Sequence, residues 1–360
     1  MLIGITIILL TLLVIVGSIF FEILHLTRRF LRGQRSRQLD HSPNYVNGFF
    51  QNEEDTPQMT NKNGWRRMFK TLFRKVEHLT PDRNLPVVKT DFHALTREKE
   101  IIVWLGHSTV FIQTGGKRYL FDPILKRSFP SSLILKPFRG TDAYTPNDIP
   151  EIDYLVITHD HWDHLDRLTV RAIRERVGSV VCPLGVGQYL EDWDYPAEKV
   201  HELDWNESLA IDTETALRCL PSRHFSGRLL LRNRTLWASF LIDGPRKIFV
   251  SGDGGYGSHF ARIGQEFPGI DLAIMENGQY NEHWKYIHTM PDLLTKAIDE
   301  LSPRRVMTYH HSKFALSRHP WTEPLDNIVT HATGKSWKLV QPRIGEVLYL
   351  DQDQEFEKWW

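Results

Sequence analysis

Cysteine is nearly absent: the 360 residues include two, Cys182 and Cys219, and neither sits in a CxxC or other metal-like spacing. A disulfide scaffold is excluded, thiolate ligation is not expected, and a reducing compartment is compatible with the chain. An excess of one charge is missing too. Forty-four basic and 44 acidic residues cancel to a formal net charge of zero, so no global field steers the chain toward a polyanion and no nucleic-acid partner is expected. No internal repeat or low-complexity tract is visible. With 41% hydrophobic residues the chain is ample for a buried core, as one large domain or two ordinary ones. What it has in excess is histidine, 17 copies, several of them in tight clusters.

The one long apolar run is Leu2 to Phe21, 20 residues without a charge. A helix of that length spans the roughly 30 Å hydrocarbon core, so the run predicts a transmembrane anchor over residues 1–27; a cleaved signal peptide is the rival, but no basic segment precedes the run. Arg28, Arg29, Arg32, Arg35 and Arg37 follow it. This bias predicts a single-pass protein of the cell membrane with its catalytic domain in the cytoplasm. Residues 28–63 read as a basic juxtamembrane segment and polar linker, rich in Asn, Gln, Ser and Pro. In the extension 64–99, Trp65, Met68, Phe69, Leu72, Phe73 and Val76 recur at helical spacing among basic residues, a pattern for a helix that either packs on the domain or lies on anionic lipid.

From residue 100 to 360 the pattern is α/β. Short strand-like runs are expected at Ile101–Trp104, Val110–Gln113, Tyr119–Phe121, Tyr154–Ile157, Val180–Cys182 and Ile248–Val250, with helices at Leu168–Arg176 and Pro291–Leu301. The strand Tyr154–Ile157 runs into Thr158-His159-Asp160-His161-Trp162-Asp163-His164-Leu165-Asp166. Packing has no use for three imidazoles and several carboxylates on one loop. Neutral imidazole and carboxylate are ligands that zinc accepts, and iron or manganese as well, so the loop reads as a metal site. Asp160 and Asp166 are either groups that orient the imidazoles or solvated loop carboxylates.

At this loop the sequence resembles the metallo-β-lactamase superfamily, whose HxHxDH motif matches His159, His161, Asp163 and His164. Within it the chain is most similar to the branch of N-acyl phosphatidylethanolamine-hydrolysing phospholipase D, through Trp104–Val110, Asp122-Pro123, Leu236-Trp237, Ser251-Gly252-Asp253 and Phe314-Ala315-Leu316. The stretch Glu276–Tyr280 is polar where that branch is apolar. The resemblance implies an αβ/βα sandwich of two mixed β-sheets flanked by helices, here preceded by the transmembrane helix. It assigns one metal to His159, His161 and His224, a second to Asp163, His164 and His310, and a bridging role to Asp253. For the last histidine ligand, His311 is the neighbouring alternative. Two Zn2+ ions are the implied cofactors, and a water shared between them gives a hydroxide nucleophile. Asp163 and His288 are the catalytic candidates, His288 matching a family histidine near the substrate; its alternative is a polar residue leading into the helix at Pro291. His107 is either at the site or a buried support for the metal loop. The implied activity is a phospholipid phosphodiesterase acting on a membrane substrate, with the bilayer as partner and a homodimer left open. The alternatives are a lactonase or soluble phosphodiesterase of the same fold, and a non-enzymatic membrane sensor.

Overall fold

The computed structural model describes residues 39–60, 75–228 and 231–360, with a few isolated positions nearer the N-terminus. A short hairpin, β1 (Tyr45–Val46) and β2 (Phe49–Phe50), comes first. The first large sheet holds β3 (Ile101–Trp104), β4 (Val110–Thr114), β5 (Lys117–Phe121), β6 (Ile152–Val156), β7 (Val177–Pro183) and β8 (Val200–Leu203). The second begins with β9 (Ser208–Ala210) and β10 (Ala216–Leu220); the small hairpin β11 (Gly227–Arg228) and β12 (Leu231–Arg232) stands outside it. It continues with β13 (Ser239–Asp243), β14 (Ile248–Val250), β15 (Leu272–Glu276), β16 (Arg305–Tyr309) and β17 (Lys338–Leu339), and β18 (Val347–Tyr349) returns to the edge of the first.

The strand orders are β18-β3-β4-β5-β6-β7-β8 and β17-β16-β15-β14-β13-β10-β9. Each sheet is antiparallel in one half and parallel in the other, changing at β5 and at β14. Alternation of side chains along a strand explains the layering. In β3, Ile102 and Trp104 face the other sheet while Ile101 and Val103 face outward; in β15, Leu272 and Ile274 face inward while Ala273 and Met275 face out. Helices cover the outward faces. Val170 and Ile173 of α1 (Arg167–Ile173), with Tyr189 and Leu190 of α2 (Gly187–Asp192), pack on the first sheet. On the second lie α3 (His259–Glu266), α4 (Pro291–Leu301) and α5 (Glu323–Ala332). In α4 the buried residues Leu294, Ala297, Ile298 and Leu301 fall at helical spacing, Pro291 opens the helix and Ser302 closes it in the left-handed region. Each such leucine or isoleucine contributes about 1.5–3 kcal/mol by burial. The result is the expected sandwich of two mixed sheets between helical layers.

The N-terminal prediction is corrected. Residues Leu2–Phe21 and the amphipathic segment 65–76 fall almost wholly outside the described residues. Among the described residues no helix is long and apolar enough to cross a membrane. A span needs about 20 apolar residues, whereas α4, with 11, is the longest helix described. The transmembrane helix and the single-pass localisation with a cytoplasmic domain rested on that span, the bilayer and membrane phospholipid as partners rested on it together with the resemblance, and none of them finds support among the described residues.

Part of the stretch read as polar linker belongs to the domain. Phe50 is fully buried in the core between the sheets, and residues 51–60 run over its surface as a strap. Thr60 N–H and Oγ1 donate to the carbonyls of His283 and Glu282, both at 2.9 Å.

Candidate metal centre

The parallel strands β6, β14, β15 and β16 end together at one edge of the sandwich, where ligands are commonly delivered in α/β sheets. The loop His159–Asp166 follows β6, Asp253 lies three residues beyond β14, and His310 follows β16 directly. His224 comes four residues after β10, and His107 from the turn between β3 and β4. Several of these positions are held in the left-handed region: His107 at φ 51°, Asp122 at 41° and His310 at 69°, a conformation costly for residues with a Cβ. Gly252, at φ 60°, lets the chain turn into Asp253; a Cβ there would stand 2.5 Å from the carbonyl oxygen of Ala238.

All seven sequence-predicted ligands are brought together. His161 Nδ1 lies 2.9 Å from His159 Nε2 and 3.2 Å from His224 Nε2. In the neighbouring group, His164 Nε2 is 3.1 Å from His310 Nε2, and Asp163 Oδ2 is 3.4 Å from the latter. Asp253 faces both. Its Oδ1 is 3.2 Å from His164 Nε2 and 3.2 Å from His310 Nε2; its Oδ2 is 3.8 Å from His224 Nε2 and 4.0 Å from His159 Nε2. His310 rather than His311 enters the cluster. The ring of His311 turns back to Trp104, with Nε2 3.2 Å from Thr308 Oγ1.

The hydrogen bonds on the far side of these rings fix which nitrogens carry lone pairs. His224 Nδ1–H donates to the carbonyl of Ile287 at 2.7 Å. The hydroxyl of Thr158 donates to Asp122 at 2.6 Å, leaving its oxygen to accept from His159 Nδ1–H at 3.0 Å. His164 Nδ1–H donates to Asp122 Oδ2 at 2.7 Å. Lone pairs on Nε2 of His159, His164 and His224 therefore converge, together with a carboxylate oxygen of Asp253 that is buried and has no hydrogen-bond partner. Convergent acceptors without donors repel one another unless a cation sits among them. The donor set fits divalent metal ions at these positions.

Protonation follows the same logic. Burial, reinforced by neighbouring imidazoles, holds His159 well below the ordinary histidine range, and burial does the same to His224 against the pull of Asp253. Burial opposes ionisation of Asp253 and Asp163, but the facing histidines win and hold both carboxyls well below their usual range. Neutral imidazoles and ionised carboxylates are the forms that bind metal. His164 is the exception: burial disfavours its charge, yet Asp253, Asp122 and Asp163 together raise it well above normal. These three carboxylates demand positive charge between them, which a proton supplies when no metal does.

The remaining candidates take clear places. His107 Nε2–H donates to Asp163 Oδ2 at 2.9 Å from a fully buried ring, held neutral with a pKa pushed down to about 3 by burial and the nearby His310. His288 lies at the rim, its ring stacked 5.7 Å from that of His310, with Nδ1 2.6 Å from Glu276 Oε1. Asp160 and Asp166 orient no imidazole. Asp166 caps α1 through Thr169 N–H and also holds Ser128, while Asp160 accepts from Gly227 N–H and Tyr189 Oη.

Three functional side chains escaped sequence reasoning. Asp122, which follows β5, holds His164 and Thr158; its signal was an Asp at a strand end within a block already matched as Asp122-Pro123. Glu276, fully within the polar stretch that departs from the expected pattern, is buried against His288. Asn52 reaches His224 from the strap and left no signal in the sequence.

Comparisons with known proteins agree with this geometry. The family model for the β-lactamase superfamily domain matches residues 117–311, a span that contains all seven expected ligands. An uncharacterised protein of Mycobacterium tuberculosis is 32% identical over 329 residues, covering 89% of this chain and 88% of its own. The N-acyl-phosphatidylethanolamine-hydrolyzing phospholipase D 1 of Caenorhabditis elegans is 27% identical over 310 residues, covering 78% of this chain and 85% of the relative. Among solved structures, the diiron β-hydroxylase CmlA of Streptomyces venezuelae superposes with a TM-score of 0.55 at 22% identity, covering 70% of this chain and 54% of that one, a likeness of fold alone. Matched in more than half its length by the family model, built as two mixed sheets between helices and carrying the His/Asp clusters at their shared edge, the chain belongs to the metallo-β-lactamase superfamily.

Proposed function

We propose that this metal-dependent hydrolase cleaves phosphodiesters at a binuclear centre, with zinc as the resident metal. The observation that carries the reading is Asp253, whose two oxygens face two separate sets of ligands. Bound there, a pair of divalent ions would supply Lewis acidity and a water of lowered pKa. His159, His161 and His224 would hold one ion, and Asp163, His164 and His310 the other. The similarity to the nematode phospholipase D, which is named for hydrolysing N-acyl-phosphatidylethanolamine, supports a phosphodiester substrate over a carboxylic ester.

The chain's own residues contribute binding, orientation and proton transfer. His107 and Asp122 keep Asp163 and His164 aimed at the centre. At the rim, burial lowers the proton affinity of His288, but the adjacent Glu276 carboxylate outweighs it and raises the pKa above normal. Glu276 occupies Nδ1, so Nε2 is the atom that would donate a proton to the leaving oxygen or to a phosphate oxygen. Because fold does not choose substrate, the test is a panel: bis-p-nitrophenyl phosphate and other phosphodiesters against lactones, with chelated and metal-restored protein. Phosphodiester cleavage that disappears on chelation and returns with metal is the expected result. Lactone opening with every phosphodiester left intact would replace this reading with a lactonase.

A further inference from the structure

His224 is the one histidine of its cluster that does not come from the HxHxDH loop, and both of its main-chain polar groups are bonded by a single side chain from far away in the sequence. Asn52 Nδ2 donates to the carbonyl of His224 at 2.7 Å, and Asn52 Oδ1 accepts from His224 N–H at 3.0 Å. The same oxygen accepts from the indole Nε1–H of buried Trp237 at 3.1 Å. A primary amide presents a donor and an acceptor side by side, as a strand edge does, and so fixes the rotation of the His224 peptide units as well as their position. The ring is held separately, by Ile287.

Asn52 is itself held on both sides. Before it, Phe50 is fully buried and its N–H donates to Asn233 at 2.7 Å. After it, Glu54 Oε1 accepts from Ser258 N–H and Oγ at 2.7 and 2.8 Å, and Arg223, adjacent to His224, donates to Asp55 O and Thr56 Oγ1. Glu53 and Gln58 add bonds to Arg262 and Arg232. The strap is thus tied to the three neighbourhoods that surround His224.

We infer that Asn52 is a positioning residue for the metal centre: through the peptide units of His224 it sets the affinity of the His159/His161/His224 cluster and leaves the other cluster untouched. The inference rests on the reading of His224 as a metal ligand. Loss of a partner that orients a ligand typically costs 10–100-fold in metal affinity, and here the loss falls on one of two ions.

The test uses the full chain. Asn52→Ala and Asn52→Asp are titrated with Zn2+ against a chromophoric chelator and with Co2+ by absorption, beside Gln58→Ala, which loosens the strap without touching His224. Wild type is expected to bind two ions; Asn52→Ala should weaken one by about 10–100-fold and keep the other, with a changed Co2+ spectrum, while Gln58→Ala matches wild type. Asn52→Asp keeps the acceptor and sets an oxygen against the His224 carbonyl, so it should also weaken one ion. If Asn52→Ala does not fold, Asn52→Asp carries the test. Wild-type affinities for both ions in the folded variants would overturn the inference, and a wild-type protein that binds no metal would instead overturn the reading beneath it.

Discussion

The two halves of the metal centre are held by different means. Around His164 and His310 the supports are buried side chains of the first sheet: Asp122 grips His164, and His107 grips Asp163. Around His224 they are carbonyls and an amide from the periphery: Ile287 ahead of α4, and Asn52 on the strap. The first half is set by the core packing of the sandwich; in the second, His159 shares that support through Thr158 and Asp122, while His224 is set by segments laid over the core. Changes at the surface of the domain would therefore reach the cluster that contains His224 and spare the one that contains His164 and His310.

The largest way to break this comparison is Asp253→Ala, which removes the carboxylate shared by both halves. Metal affinity should fall by more than about 100-fold, beyond the effect of losing an orienting partner, with turnover reduced to background; elemental analysis and phosphodiesterase assay on the folded variant check it. Two ions still bound with normal turnover would show that Asp253 does not join the halves. Next comes Asp122→Asn, nearly isosteric and tolerant of the left-handed backbone at this position. It should cost about 10–100-fold in affinity for an ion at His164 and His310 and less for the other, which Asp122 reaches only through Thr158 and His159, the reverse of the order expected for the Asn52 substitutions.

A third prediction separates the outer layer from the centre by pH. His259, beneath the strap, and His311, behind the centre, are both held to a pKa of about 3, in each case chiefly by burial. Unfolded, each titrates near 6.5, so below that value the unfolded chain binds protons that the folded one refuses. Their contribution is complete above pH 6.5 and is lost as pH falls toward 3, by about 2 kcal/mol each at pH 5. Urea unfolding of chelated protein at pH 7.5, 6 and 5 should show this, and His259→Asn should flatten the slope; an unchanged slope would place the pH dependence elsewhere. The smallest effect is expected for Asp166→Ala. Although it lies in the metal loop, it caps α1 and should lower stability by about 1 kcal/mol while both ions bind as in wild type.

Sequence reasoning reached the centre because its ligands are concentrated or punctuated. Three histidines and an aspartate stand within six positions, and Asp253 follows the apolar run Ile248–Val250, whereas His310 was reached only through the resemblance. Short apolar runs between turns made β3 and β14 legible with their boundaries, Ile101–Trp104 and Ile248–Val250, and α4 appears over Pro291–Leu301 as its spacing indicates. The helix expected over Leu168–Arg176 is instead α1, Arg167–Ile173, closing in a 3-10 turn, since Asp166 sets its start. Apolarity misled at the N-terminus, where a long uncharged run indicates length and hydrophobicity but does not by itself establish a spanning helix.

The sequence by itself determined the layered α/β architecture and the HxHxDH loop, which periodicity and local residue type encode, while His224, Asp253 and His310 were singled out only through the resemblance to a family. Only the tertiary structure decided what holds them. Asn52 lies 172 positions from His224, and Asp122 lies 42 from His164. A hydrogen bond across such separations leaves no periodic trace in the chain; it exists only when the two sheets close and bring their shared edge, and the strap above it, into register.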